Sequence, residues 1–289
     1  MINTKELKEY IESNPSLVTR RESTNYPGLF VIKYTRRVFY DALWNDVLEE
    51  CRGLVVDKDW NVVIRPFKKI YNHTERGVTM KPYDKVIMVE KVNGFMGALT
   101  FVNGQPVIST TGSLDSPFVE MAKEMLMPFL PTWPTIENVT YLFEIVHKDD
   151  PHIIKEDVGV YLIGIRHIKT GYMFSEEGLD NVAMSIELRR PKWVETEFWD
   201  AEQRAKLTKL EGYVVRSLEE DLTLKIKSPY YLTLKAAARK KDIMMLNKAF
   251  VDEEFYALID NIKENEEMFN ALDEQERLEY MKEFLSGSN

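Results

Sequence analysis

The sequence predicts an α+β fold in which antiparallel strand pairs dominate roughly the first 230 residues and helices dominate the remainder. Three observations indicate this. Short apolar runs separated by turn signals recur over residues 29–111 and 139–228. Helical spacing of apolar residues appears between some of these runs. Residues 233–285 contain neither proline nor glycine, and their apolar residues fall at helical spacing.

The first part of the chain begins with a predicted helix over residues 4–13, where Leu7, Tyr10 and Ile11 share one face. The predicted strands that follow are 29–35, 52–57, 61–67, 85–92, 97–102 and 106–111. The turn sequences DKDWN at 57–61 and VNGQP at 102–106 predict hairpins, and therefore antiparallel neighbours.

The second part alternates helices and strands before its character changes. The predicted helices are 117–130, 175–189 and 199–207, and the predicted strands are 139–146, 158–168, 211–217 and 222–228. The change near residue 230 predicts two domains, a larger one over 1–230 and a small all-helical C-terminal domain over 231–289.

Composition limits the class of protein. The net charge of −9 argues against a broad phosphate-binding surface, although a local basic groove is compatible with it. No apolar run is long enough to cross a membrane, and the charged N-terminus does not resemble a secretory signal. The single cysteine, Cys51, suits a reducing compartment. We therefore expect a cytoplasmic protein that does not associate with membranes.

Lysines on predicted strands are the first candidates for chemistry. Lys91 lies in IMVEKVNGFMG, between two strand-like runs and three residues before Gly94. A lysine becomes nucleophilic when burial or neighbouring positive charge lowers the pKa of its amine. Lys225 and Lys227 are two residues apart on a strand, so both side chains project from one face. Two lysines on one face of an otherwise apolar strand indicate a bound polyanion.

Charged residues on other strands extend this set. Glu144 lies inside an apolar strand and needs a partner there, which is a ribose hydroxyl, a metal ion or a structural arginine. Glu211 precedes a glycine and a strand, and Arg52 precedes a glycine and an apolar run, where it could bind phosphate bidentately. Together these residues suit a nucleoside triphosphate with Mg²⁺.

The motifs resemble those of a known superfamily. KVNG at 91–94 resembles the K-x-D/N-G nucleotide-acceptor motif of covalent nucleotidyltransferases, which include ATP-dependent ligases and mRNA capping enzymes. Further motifs follow in the same order as in that superfamily: STTGS (109–113), LFEIV (142–146), VYLIGIRH (160–167), EGYVVR (211–216) and LKIKSPYYLTLK (224–235). ECRGLVVD, IRPFKKIYNHTE and SPYYLTLK resemble the phage RNA ligase 1 family in particular. The resemblance covers about residues 45–235.

The resemblance implies a nucleotidyltransferase (adenylation) core of antiparallel sheets flanked by helices. It implies that Lys91 forms lysyl-AMP, that Lys225 and Lys227 contact the α-phosphate and help activate Lys91, and that Glu211 binds the catalytic metal. It also implies that Glu144 binds the ribose, that Arg52 and Lys69 bind the pyrophosphate end of ATP, and that Glu90, Val92, Asn93 and Gly94 belong to the cofactor site. Asn93 replaces the commoner aspartate and brings no charge.

The function implied is ATP-dependent joining of RNA 5′-phosphate and 3′-hydroxyl ends, with Mg²⁺ or, in its place, Mn²⁺. The expected substrate is single-stranded RNA or broken tRNA, and the expected setting is RNA repair during bacteriophage infection. We expect the enzyme to be a monomer, and to act in the host cytoplasm if it is phage-encoded. The alternatives are a DNA ligase, a capping-type nucleotidyltransferase and an inactive module that binds nucleotide or RNA ends. The tail after residue 230 does not resemble an OB barrel, which counts against the first two. The intact KVNG and the paired lysines count against the third.

Overall fold

A computed structural model describes residues 4–134, 136–239 and 255–286. The strands are β1 (Val18–Glu22), β2 (Leu29–Tyr34), β3 (Arg52–Asp57), β4 (Val62–Ile64), β5 (Tyr71–Asn72), β6 (Lys85–Glu90), β7 (Phe95–Val102), β8 (Gln105–Thr110), β9 (Val139–Val146), β10 (Gly159–His167), β11 (Trp193–Glu197), β12 (Gly212–Ser217) and β13 (Thr223–Lys227). The α-helices are α1 (Thr4–Ser13), α2 (Arg36–Tyr40), α3 (Asp46–Glu50), α4 (Pro117–Leu126), α5 (Glu176–Ser185), α6 (Phe198–Leu207), α7 (Pro229–Arg239), α8 (Tyr256–Glu264), α9 (Glu266–Ala271) and α10 (Glu274–Ser286).

The chain divides into two units. Unit 1 comprises Met1–Ile70, Gly94–Asp150 and Glu156–Pro191, and unit 2 comprises Tyr71–Asn93, Pro151–Lys155 and Lys192–Asn289. The predicted boundary near residue 230 falls inside unit 2, so the division into domains 1–230 and 231–289 stays a prediction. No helix in the described ranges is both long and apolar enough to cross a membrane.

Unit 1 contains two antiparallel sheets. One has the strand order β1-β2-β3-β4 and the other has the order β10-β9-β7-β8. Both predicted hairpins are confirmed, as β3–β4 and β7–β8. In the second hairpin, Asn103 (φ 50°) and Gly104 (φ 75°) are both left-handed, as a two-residue type I′ turn requires.

The cores of unit 1 explain why its strands are so apolar. In β3, Val55 packs with Val31, Ala98 and Leu142 from strands of both sheets. Leu54 and Val56, which alternate with Val55, belong to a separate cluster with residues of α1 and α3. β3 is therefore buried on both faces, which accounts for the uninterrupted apolar run in RGLVVD.

A charged cluster is also buried in unit 1. Glu50, at the end of α3, accepts hydrogen bonds from the Nη2 atoms of Arg65 and Arg166 at 2.7 Å each, with Arg166 Nη1 at 2.8 Å and Arg65 Nε at 3.3 Å. Both guanidinium groups are therefore bidentate. Burial alone would raise the pKa of Glu50, but hydrogen bonds and charges from both arginines hold the pKa below its ordinary value.

Unit 2 contains one sheet and the C-terminal helices. The strand order is β11-β6-β12-β13-β5, antiparallel except for the β13–β5 pair. Residues of α7, α8, α9 and α10 share an apolar cluster with Ile153 and Ile154. The described part of 233–285 is thus helical apart from short turns, as predicted. Residues 240–254 of that prediction lie outside the described residues.

The structure corrects several element predictions for local reasons. The helix predicted over 117–130 ends at Leu126 and continues as a 3₁₀ helix (Met127–Thr132), because Pro128 and Pro131 cannot donate α-helical hydrogen bonds. The strand predicted over 61–67 is limited to Val62–Ile64, and the one over 85–92 ends at Glu90. The sequence did not predict β1, whose residues after Val18 are all exposed, nor the short elements β5, β11, α2 and α3.

Candidate active site

Strand β12 positions two of the predicted site lysines in unit 2. Its first residue, Gly212, is in register with Lys227 of β13, and its carbonyl oxygen accepts a hydrogen bond from Lys91 N at 3.0 Å. Gly212 has a φ of 139°, and a Cβ there would lie 2.0 Å from the carbonyl oxygen of Ile226. Only glycine fits this position, so the close pairing of β12 with β13 depends on it.

The carboxylate of Glu211 lies among these lysines. Its Oε2 atom accepts hydrogen bonds from Lys91 Nζ at 2.8 Å and Asn93 Nδ2 at 2.7 Å, and its Oε1 atom lies 3.6 Å from Lys227 Nζ. The Glu211 side chain is 4% exposed, whereas those of Lys91 and Lys227 are 21% and 22% exposed. A buried carboxylate thus orients two ammonium groups that ligands can still reach.

Asn93 has a role that sequence reasoning missed. Its side chain is buried, its Oδ1 atom accepts a hydrogen bond from Ile154 N at 3.0 Å, and its Nδ2 atom donates to Glu211. An ionised aspartate could not donate to Glu211 and would place a second negative charge beside it. The amide that replaces the commoner aspartate therefore suits the partner that this chain places there.

The other predicted residues of unit 2 lie on the same sheet. Strand β13 shows the predicted alternation, in which Leu224 and Ile226 are buried and Lys225 and Lys227 are half-buried. At the end of β6, Glu90 N donates to the carbonyl oxygen of Lys192, and Val92 is buried. The structure thus brings Lys91, Asn93, Glu211 and Lys227 into direct contact.

Glu144 and Gly94 meet in unit 1. Glu144 lies on β9 and its Oε1 atom accepts a hydrogen bond from Gly94 N at 3.0 Å. A Cβ at Gly94 would lie 2.3 Å from the carbonyl oxygen of Ile145, so glycine is required for this approach. The buried-strand glutamate therefore has a backbone N–H group as one partner, which none of the three predicted partners included.

Arg52 and Lys69 also belong to unit 1. Arg52 is the first residue of β3 and is in register with Lys33 of β2, so two cations lie side by side on neighbouring strands. Lys69 is buried, with its Nζ atom 5.5 Å from the ring centroid of Trp44 and its backbone N bonded to the carbonyl oxygen of Glu49. An ammonium over an indole face is a cation–π contact.

The donor set suits one mode of metal binding. Among the described residues, no group of three or more His, Cys, Asp or Glu side chains could form a protein-only metal site. Mg²⁺, however, commonly binds one or two carboxylates together with substrate phosphates and water. The single carboxylate of Glu211, next to cations that attract phosphate, fits that mode.

These features define a class of protein. The fold is mixed α+β with antiparallel sheets. A strand of unit 2 is followed directly by a reachable lysine that is hydrogen-bonded to a buried glutamate and accompanied by a second lysine. Enzymes that form covalent lysine intermediates require such a positioned amine. A family model described as RNA ligase matches residues 50–231. This match covers more than half of the chain, which therefore belongs to this RNA ligase family, as its motifs predicted.

Solved structures confirm the fold class. Two archaeal ATP-dependent RNA ligase structures, form 2 and form 1, match with TM-scores of 0.58 and 0.61 and identities of 17% and 18%, covering 98% of this chain and 79% of theirs. A putative ATP-dependent DNA ligase from Aquifex aeolicus matches with a TM-score of 0.59 and 15% identity, and the match covers 96% of this chain and 76% of the DNA ligase chain. Such identities show a shared fold alone. No curated protein sequence matches the chain.

Proposed function

We propose that this RNA ligase uses ATP and a divalent cation, Mg²⁺ or Mn²⁺, to join RNA 5′-phosphate and 3′-hydroxyl ends through a lysyl-AMP intermediate on Lys91. The observation that carries the proposal is the 2.8 Å contact between Lys91 Nζ and the buried Glu211, with Lys227 on the same carboxylate. The ATP-dependent ligases that share the fold support the choice of nucleotide.

In the first step, Lys91 Nζ attacks the α-phosphorus of ATP. Before it attacks, the Lys91 ammonium loses one proton to solvent. The N–P bond forms as the bond to pyrophosphate breaks, and the nitrogen then releases a second proton to solvent. Lys225 and Lys227 stabilise the negative charge that develops on the phosphoryl oxygens. Glu211 would hold the divalent cation together with substrate phosphates, and the cation would stabilise the same charge when bound.

In the second step, an oxygen of the RNA 5′-phosphate attacks the phosphorus on Lys91, and the lysine nitrogen leaves and regains a proton. In the third step, the 3′-hydroxyl oxygen attacks the 5′-phosphorus of the RNA-adenylate and releases its proton to solvent. The phosphodiester bond forms as the bond to AMP breaks. Both steps develop charge on phosphoryl oxygens, so both depend on the same lysines.

The motif resemblance supports the remaining ATP contacts in this proposal. Glu144 accepts a hydrogen bond from a ribose hydroxyl. The hydrogen bond that Gly94 N donates to the Glu144 carboxylate fixes the orientation of that carboxylate. Arg52 and Lys69 bind the pyrophosphate end. Glu90, Val92, Asn93 and Gly94 complete the nucleotide site around the acceptor lysine.

The setting we propose is repair of broken RNA, tRNA included, by a monomer in the cytoplasm during bacteriophage infection. Family membership supports an RNA substrate. The tRNA and phage setting rests on the motif resemblance.

A labelling experiment tests the proposal. The protein is incubated with α-labelled ATP and Mg²⁺ and then chased with 5′-phosphorylated single-stranded RNA or DNA. We expect label on the protein that moves to RNA. Transfer to DNA alone would favour a DNA ligase, and labelling by GTP in preference to ATP would favour a capping-type enzyme. No label, with an intact mass that excludes prior adenylylation, would favour a binding module.

A further inference from the structure

The start of helix α7 is hydrogen-bonded directly to the backbone of Glu211, which precedes strand β12. Ser228, between β13 and α7, donates its backbone N–H to the carbonyl oxygen of Glu211 at 3.0 Å and its hydroxyl to that of Leu210 at 2.6 Å. The Ser228 hydroxyl also accepts a hydrogen bond from Tyr231 N at 3.0 Å. The first turn of α7 therefore has a defined position relative to the Glu211 cluster.

One aromatic ring of α7 contacts two ammonium groups. Tyr231 is buried, with Lys227 Nζ 5.1 Å and Lys235 Nζ 5.3 Å from its ring centroid. Tyr231 and Lys235 are four residues apart, so they share one face of the helix. Both distances lie in the range of cation–π contacts. The ring thus holds Lys235 in the same neighbourhood as the lysine that contacts Glu211.

The charges around Lys235 are unbalanced. Lys91 and Lys227 share the carboxylate of Glu211, and Arg239 is paired with Glu274 at 3.1 Å. Within the part of the chain that the structure describes, no carboxylate oxygen lies within 4.0 Å of Lys235 Nζ. Burial lowers the pKa of Lys235, and the positive charges of Lys227, Arg239 and Lys91 lower it further, while the negative charge of Glu211 offsets these effects only in part. An anion bound here would relieve this repulsion.

We propose that Lys235, with Lys227, binds a phosphate group that reacts at Lys91, which adds a binding residue to those of the proposed function and rests on that function. Two substrates carry such a group: pyrophosphate, which leaves ATP in the first step, and the 5′-phosphate of RNA, which attacks in the second. In an in-line displacement each occupies the position opposite the lysine nitrogen, so one cation could serve either or both.

The test distinguishes pyrophosphate from the RNA 5′-phosphate by removing AMP from the same adenylylated protein with each of them in turn. Protein loaded with labelled AMP is chased with pyrophosphate, which regenerates ATP, or with 5′-phosphorylated RNA, which takes up the AMP. For Lys235→Gln we expect a KM higher by about 10-fold to 100-fold in one or both arms, since a charge-assisted phosphate contact is lost. A rise with pyrophosphate or with RNA assigns the site to that substrate. Lys235→Arg should restore much of the loss.

Lys282→Gln is a matched control. Lys282 lies on α10 of unit 2, is half-buried, and has a pKa that burial lowers as well. Its replacement removes a comparable charge that, within the described part of the chain, makes no cation–π contact with Tyr231. We expect wild-type kinetics from it. Unchanged KM values for Lys235→Gln in both arms, or an equal change in Lys282→Gln, would overturn the inference.

A second measurement does not need catalysis. Pyrophosphate binding to the wild-type protein and to Lys235→Gln is compared by calorimetry, together with their thermal midpoints. Weaker pyrophosphate binding at an unchanged midpoint supports the anion site even if no lysyl-AMP forms. Equal binding excludes pyrophosphate as the ligand of Lys235, and together with an unchanged KM for RNA it overturns the inference. Failure of the wild-type protein to become labelled would count against the proposed function instead.

Discussion

Two clusters in this molecule have the same charge pattern and opposite character. In unit 1, Glu50 lies between Arg65 and Arg166, and in unit 2, Glu211 lies between Lys91 and Lys227. The two arginine side chains are 4% and 6% exposed, whereas the two lysine side chains are 21% and 22% exposed. The first cluster is closed to ligands and the second can be reached.

The difference follows from the chemistry of the cations. Each guanidinium binds Glu50 bidentately, and Arg65 Nη1 also donates to the carbonyl oxygens of Ile168 and Lys169 at 3.1 Å. This network fixes the loops around β4 and β10 in one arrangement. An ammonium makes a compact, mobile contact and can be deprotonated to a nucleophile. We therefore expect the Glu50 cluster to stabilise the fold, and we propose that the Glu211 cluster leaves its lysines available for phosphate chemistry.

The largest expected effect comes from exchanging the cation type at Lys91. Lys91→Arg keeps a positive charge beside Glu211 but removes the amine that we propose as the nucleophile, so lysyl-AMP formation should be abolished with little change in thermal midpoint. The measurement is protein labelling by α-labelled ATP. A variant that still becomes labelled would show that the reactive lysine lies elsewhere.

The second largest effect on lysyl-AMP formation is expected from replacing the carboxylate of the same cluster. Glu211→Gln removes the charge that orients Lys91 and Lys227 and the proposed cation ligand, so the rate of lysyl-AMP formation should fall about 100-fold or more. Single-turnover labelling measures it. Glu197→Gln, in an exposed pair with Lys85 on the same sheet, is the control and should retain the wild-type rate. Equal rates in the two variants would remove Glu211 from the mechanism.

The matching change in unit 1 should affect stability. Glu50→Gln leaves two buried guanidinium groups without their carboxylate, so the free energy of unfolding should fall by about 3–5 kcal/mol. Urea unfolding measures this, with Asp41→Asn as the control, since Asp41 forms an exposed pair with Arg37 worth about 1 kcal/mol or less. A loss as small as that of the control would mean that the Glu50 cluster does not stabilise the fold.

The smallest expected effect is the pH dependence of the same cluster. The pKa of Glu50 is lower in the folded chain than its ordinary value of 4.5. The unfolded chain therefore binds more protons, and the stabilisation is present above about pH 4.5 and lost as pH falls through the folded pKa. Urea unfolding between pH 7 and 3.5 should show the stability gap between wild type and Glu50→Gln narrowing below pH 4.5. A gap that stays constant would place the pKa of Glu50 at its unfolded value.

The sequence predicted the reachable cluster better than the closed one. Lys91, Glu211 and Lys227 each lie in a short motif whose residue types indicate phosphate chemistry, and the alternation of β13 could be deduced from spacing alone. Glu50, Arg65 and Arg166 also lie in short motifs (ECRGLVVD, IRPFKKIYNHTE and VYLIGIRH), but nothing in those motifs indicates that the three side chains meet. The one available signal was Arg166 within the apolar run VYLIGIRH, where an unpaired charge would be costly.

The donor role of Asn93 and the position of Lys235 could not be predicted for a different reason. Both depend on which side chains meet: Asn93 with Glu211 and Ile154, and Lys235 with the ring of Tyr231. Local spacing places Lys235 and Tyr231 on one helix face but does not show what that face contacts. Tertiary packing decides these contacts.

The most direct test of the account is to locate the AMP group on the protein. The protein is incubated with ATP and Mg²⁺, digested, and examined by tandem mass spectrometry under conditions that preserve the N–P bond. We predict an AMP adduct on the peptide that contains Lys91, which disappears when 5′-phosphorylated RNA is added. An adduct on another residue, or RNA joining with no adduct at Lys91, would contradict the central claim.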